Sequence, residues 1–161
     1  MAVQSDQHRY AAASDSAGVD AFAARSLDVL LLVGRVALGL IFALSGFAKL
    51  TGLSAFSASL AARGVPAPEI MGVIGATVEF VGGVLIMLGL FTRHAALLMI
   101  LFVIVATGIS HRFWEYADPQ QFRLQQSQFL KNVAIIGGFV LLFAVAGGRF
   151  AIDALWRRGR P

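Results

Sequence analysis

Apolar residues along this chain gather into four long blocks instead of alternating with polar ones. The first covers residues 28–50 and is interrupted by Arg35. The second covers residues 70–90 and is interrupted by Glu79. The third, residues 95–110, is the shortest, and the fourth, residues 129–146, carries Lys131 and Asn132 near its start. About 20 apolar residues cross the hydrocarbon core as a helix. Backbone polar groups have no water to bond there, so each block is expected to be helical. The pattern predicts an all-α membrane protein, a four-helix transmembrane bundle held in a lipid bilayer. Only Phe91-Thr92-Arg93-His94 separates blocks two and three, so these two form an antiparallel hairpin.

The remaining segments divide the chain into three parts. Residues 1–27 are rich in Ala, Ser and Asp without a hydrophobic period, and are expected to form a disordered tail. Residues 28–155 are the transmembrane domain, and residues 156–161 a short basic tail. Arg9, Arg25, Arg93, Arg149, Arg157, Arg158 and Arg160 fall on one side of the bundle. Arg63, Arg112 and Arg123 fall on the other, with Lys49 and Lys131 at its span ends. Cytoplasmic loops carry the excess of Lys and Arg, so both termini are expected in the cytoplasm. In the first outer loop, Leu53, Phe56 and Leu60 stand at helical spacing before Gly64-Val65-Pro66-Ala67-Pro68, predicting a short surface helix and a rigid turn. The second holds Phe113, Trp114, Tyr116 and Phe122, rings that favour the membrane–water boundary.

Composition agrees with this picture and narrows the chemistry. Only 14% of the 161 residues are charged, against roughly 25% in soluble domains, and mean hydropathy is +0.77. There is no cysteine, which excludes disulfides, thiolate metal sites, iron–sulfur clusters and Cys nucleophiles. The net charge of +4 comes without a basic, aromatic-interleaved cluster, so no nucleic acid partner is expected. No nucleophile–base set or phosphate loop appears. A lone histidine without a paired second ligand gives no reason to expect a metal or haem.

The candidate chemistry lies in charges that a membrane penalises. A charge near the bilayer centre costs about 2.5–3.5 kcal/mol on insertion scales and marks a candidate functional site. Arg35, Gly39, Phe42, Gly46 and Lys49 share one face of the first helix, within about 40° at 100° per residue. Gly72, Gly75, Glu79, Gly82 and Gly83 share one face of the second, within about 60°. Both charges therefore sit on small-residue faces that let helices approach closely, and they point into the bundle. Aligning the ends of the two blocks leaves an axial offset of roughly 5–8 Å between Arg35 and Glu79, so an Arg35–Glu79 ion pair is expected. That pair could serve structure alone or line a polar pocket. At the outer face Lys49, His111, Lys131 and Asn132, with Thr107 one turn below His111, would form a donor-rich rim above Glu79. Its ligand would be anionic or carbonyl-bearing.

In their order and spacing these features resemble the DoxX family of small four-helix bacterial membrane proteins. The likeness rests on Gly34-Arg35, Ser45-Gly46-Phe47-Ala48-Lys49-Leu50, Glu79 followed by Gly82-Gly83, Gly89-Leu90-Phe91-Thr92-Arg93, Phe129-Leu130-Lys131-Asn132, and Asp153. It spans residues 28–155. The resemblance implies a multi-pass protein of the bacterial inner membrane, and a site containing Arg35, Lys49, Glu79, Lys131 and Asn132. The family is named for likeness to a subunit of a quinol oxidase and thiosulfate:quinone oxidoreductase system. That implies a quinone-associated subunit, or a membrane anchor for a soluble redox partner. The residues alone leave open a small proton-coupled transporter, working as a homo-oligomer, and a ligand-free membrane scaffold.

Overall fold

The computed structural model describes the backbone of residues 2–158 and the side chains of residues 18–157. Six α-helices run in order: α1 (Ala2–Thr51), α2 (Leu53–Ala61), α3 (Pro68–Leu88), α4 (Thr92–Ser110), α5 (Pro119–Val145) and α6 (Ile152–Arg158). A single 3₁₀ turn, Phe113–Glu115, links α4 to α5. Helices α1, α3, α4 and α5 are each long and apolar enough to cross a membrane. Their outer faces carry exposed Leu, Ile, Val and Phe, such as Leu44, Val105 and Leu141, as lipid contact requires. Helix α6 and the α3–α4 connection lie at one end of the bundle, called here the near end; the α1–α2, α2–α3 and α4–α5 connections lie at the far end.

Element boundaries follow local chemistry. Helix α2 is the surface helix expected in the first outer loop, and it buries Ser57 and Leu60 against the start of α3. Pro68 opens α3 at a position where its missing N–H costs nothing. Gly89 closes α3 with φ +66°, donating to Ile86 O while Leu90 N reaches Leu85 O, the paired bonds of a Schellman turn. One expectation is corrected. The fourth spanning helix begins ten residues before position 129, because Asp118 caps it by accepting from Gln121 N at 2.8 Å and Pro119 follows as the first helical residue. The described backbone of the expected disordered tail continues α1, and over residues 18–25 that helix is exposed. Met1 and residues 159–161, which are half of the expected basic tail, lie outside the described residues.

The main contact is between α1 and α3, and it is made by backbone. A Cβ on Gly83 would meet Ala43 N at 2.6 Å and Gly39 O at 2.7 Å. One on Gly46 would meet the backbone of Phe80. The glycine faces read from the sequence are buried: Gly39, Gly46 and Gly83 lie in this contact, Gly82 lies against Met99 of α4, and Gly72 against Ser57 of α2. Around this crossing Phe42, Ile86, Met99, Val103 and Phe139 form an apolar core at mid-height, with the Phe42 and Phe139 rings 5.5 Å apart.

A side chain at position 83 has no flexible neighbour to displace. Gly83→Val should therefore destabilise the protein by more than the ~1–3 kcal/mol typical of overpacking, seen as a lowered thermal midpoint in detergent. Gly34→Ala, where nothing lies within 4 Å of the added carbon, should be neutral or stabilising. Equal midpoints for the two variants would remove the glycine contact as the organiser of the bundle.

Candidate functional site

Five of the six candidate residues converge at the far end. Lys49 from α1, Glu79 from α3, His111 at the end of α4, and Lys131 with Asn132 from α5 line one cavity of about 170 Å3. All four spanning helices contribute to it, and Phe42 lies at its inner limit. The fourth helix can bring Lys131 and Asn132 there because it starts at Pro119, so both residues lie inside it by more than three turns.

The polar groups are connected in pairs. Lys49 Nζ donates to Glu79 Oε2 at 2.5 Å; the Glu79 side chain is only 5% exposed and that of Lys49 32%. The ammonium also lies 5.1 Å from the centre of the Phe56 ring, so α2 closes it from the side. Asn132 Nδ2 donates to the buried Thr107 hydroxyl at 2.8 Å, and His111 Nδ1 shares a 2.8 Å bond with Gln125 Oε1. Lys131 is exposed and donates to Gln128. Ser45 and Ser110 complete the polar lining. The sequence reading passed over Ser45, Ser110, Gln125 and Gln128. The glutamines fall in the part of α5 that preceded the expected span, so their helical phase was not considered.

The expected Arg35–Glu79 pair is not formed. Arg35 is buried at the near end, where Nη2 donates to Phe150 O at 2.6 Å. It sits against Gly89, ten residues beyond Glu79 in α3, which is roughly 15 Å along a helix. The glycine interlock slides α3 relative to α1, and aligning the ends of hydrophobic blocks cannot detect that slide. Lys49, expected at the membrane surface, takes the place given to Arg35. The Nε and Nη1 groups of Arg35 are buried without a partner among the described residues.

Arg35 belongs to a clasp that closes the near end. Asp153 of α6 accepts from Phe91 N, Thr92 N and Thr92 Oγ1, each at 2.7 Å, capping α4 from outside its own segment. Asp153 N donates back to Gly89 O at 3.0 Å, and Arg149 N donates to Asp28 Oδ1 at 2.8 Å. Desolvation opposes ionisation of Asp153. The Thr92 and Phe91 hydrogen bonds and nearby Arg157 outweigh it and hold the carboxyl below its ordinary value.

Chemically, the far-end cavity offers a carboxylate–ammonium pair able to exchange a proton, beside amide, imidazole and hydroxyl groups. An apolar groove of about 330 Å3 adjoins it between α2, α3 and α4. Lys49, Phe102, Ala106 and Ser110 line both spaces. Among the described residues no three His, Cys, Asp or Glu side chains gather as a metal site would need.

Fold and site together define a small multi-pass membrane protein whose spanning helices enclose polar groups at both ends. The DoxX family pattern matches residues 30–112. The chain is 34% identical over 125 residues to the inner membrane protein YphA of Escherichia coli K12, covering 78% of this chain and 89% of that protein. It is 33% identical over 128 residues to the inner membrane protein YqjF of the same organism, covering 80% and 92%. The chain belongs to the DoxX family and is a multi-pass inner membrane protein. No solved structure matches it.

Two outcomes follow from the paired groups. Lys49→Met leaves Glu79 buried and alone, and should cost a large part of the ~3–5 kcal/mol seen when a buried pair is broken, less a share for the partial exposure of Lys49. The Lys49→Met/Glu79→Met double variant should recover most of that loss in thermal unfolding; a double variant no more stable than the single would show that the pair is not the cause. For Asp153, whose folded pKa is depressed, the stabilisation is present above the unfolded value of ~3.9 and is lost as pH falls through the folded value. Acidification below about pH 4 should narrow the gap in midpoint between wild type and Asp153→Asn. A gap independent of pH would exclude the ionised cap.

Proposed function

We propose that the protein is a quinone-associated subunit of the inner membrane, binding the quinone ring in the far-end cavity and its isoprenoid tail in the adjoining groove. The observation that carries this reading is the junction itself: one polar cavity and one apolar groove share Lys49, Phe102, Ala106 and Ser110. An amphiphile with a compact polar head and an apolar tail suits that shape. A cavity of about 150 Å3 admits a single aromatic ring, so 170 Å3 fits one quinone ring.

The donor set suits the ligand as well. Lys49 and Glu79 would face one carbonyl oxygen, with the pair supplying or accepting a proton as the ring changes redox state. His111, held by Gln125, and Asn132, held by Thr107, would face the other. The chain has no cysteine, so electrons would pass to or from a partner protein that brings its own redox centre. The apolar core between the two polar ends favours this reading over transport: Phe42, Ile86, Met99, Val103 and Phe139 fill the path that a solute or proton would need.

Protein extracted gently from native membranes should carry quinone detectable by mass spectrometry, and should bind a short-chain quinone saturably. Glu79→Gln should weaken that binding about tenfold, the scale of one charge-assisted hydrogen bond. The Lys49→Met/Glu79→Met double variant should lose binding while keeping its fold. Absence of both co-purifying quinone and saturable binding would sink the reading.

A further inference from the structure

The near end holds a second cavity, of about 350 Å3, that the quinone reading does not use. Phe91 and Trp156 form its wall, meeting edge-on with centroids 5.7 Å apart. Arg93, His94 and Arg157 stand around it, and the Asp153 cap lies at its base. Its surface is thus mainly apolar, with cationic groups at the margin.

Charge and depth narrow what can occupy it. The Asp153 carboxylate is turned inward and accepts three hydrogen bonds from α4, with Arg35 behind it and Arg157 beside it. Much of that carboxylate's hydrogen-bonding capacity is thus spent on α4; Arg157 shares its charge, while Arg93, also lining the cavity, has no carboxylate within ion-pair distance among the described residues. Arg93 gives one bond, at 3.3 Å, to Ala144 O, out of five donors that a guanidinium carries. The cavity lies where α4 begins and α5 ends, the level at which two spans leave the hydrocarbon. Phe91 and Trp156 are each 54% exposed, and tryptophan is the residue that favours this boundary. A free anion would have no use for the aromatic wall, and a zwitterionic lipid would bring its own headgroup cation against the two arginines.

We propose that this cavity binds an anionic phospholipid of the leaflet at the near end, its phosphate between Arg93 and Arg157 and its glycerol and upper acyl carbons along Phe91 and Trp156. The lipid would sit directly on the Asp153 clasp and so brace the closure of the bundle. With the termini inside, as the Lys and Arg distribution leads one to expect, this is the leaflet whose anionic lipids attract juxtamembrane arginines.

The chain contains two tryptophans, so Trp114→Phe leaves Trp156 as the sole tryptophan, selectively excited at the red edge where the tyrosines do not absorb. In nanodiscs, brominated phosphatidylglycerol should quench Trp156 several-fold more strongly than brominated phosphatidylcholine at equal mole fraction. Arg93→Gln/Arg157→Gln should bring that preference close to one, since each surface cation is worth enough to account for a several-fold ratio. Arg112→Gln/Arg123→Gln, at the far end, should leave it unchanged. Equal quenching by the two lipids would overturn the proposal, as would a preference that survives Arg93→Gln/Arg157→Gln. An equal loss in the far-end variant would mean diffuse charge attraction, and displacement by millimolar inorganic phosphate would mean a free-anion site; each also overturns it. If the near-end double variant fails to assemble, Arg157→Gln alone, at an exposed position of α6, serves in its place, and an unchanged preference there refutes the site.

Discussion

The close approach of α1 and α3 is the constraint from which the rest of the structure follows. Where Gly39 meets Gly83 and Gly46 meets Phe80, backbone lies on backbone, and contact at that range permits one register only. The register sets Lys49 opposite Glu79 and carries Arg35 to Gly89. Water-driven burial cannot hold spanning helices together in lipid, so small residues and internal polar bonds must do so. In this protein the two devices are coupled, because the glycine contact decides which charges meet.

The consequence is a bundle with two polar ends and a dry middle. At the far end, a carboxylate is sequestered with an ammonium beside amide and imidazole groups; at the near end, a guanidinium and two carboxylates fasten the segment after α5 onto the middle of α1 and the start of α4. Phe42, Met99 and Phe139 separate them. A structural closure and a pocket with exchangeable protons can thus coexist in a chain of modest length without disturbing each other. The pocket adjoins an apolar groove, so polar groups and apolar surface lie side by side at the far end.

Much of this was legible in the residues. Four apolar blocks of near-spanning length, the glycine faces, the surface helix with Leu53, Phe56 and Leu60, and the gathering of Lys49, Glu79, His111, Lys131 and Asn132 at one end all follow from period and block length. The early start of α5 was also written in the chain, as Asp118-Pro119 ahead of a helix, but its Gln-rich first turns lack the hydropathy by which spans are recognised. The partner of Glu79 was misassigned because block ends mark where lipid stops, and helices in lipid can slide by several residues at little cost in burial.

The sequence by itself determined the number of spans, their inward faces and the charges that must be hidden, since each of these is a property of one helix and its solvent. The tertiary structure alone decided which hidden charges meet. Pairing of Lys49 with Glu79, capping of α4 by Asp153 from 61 residues away and anchoring of Arg35 on Phe150 O depend on the relative position of separate helices. Backbone contact at a few glycines sets that position, and no periodicity within a single segment encodes it.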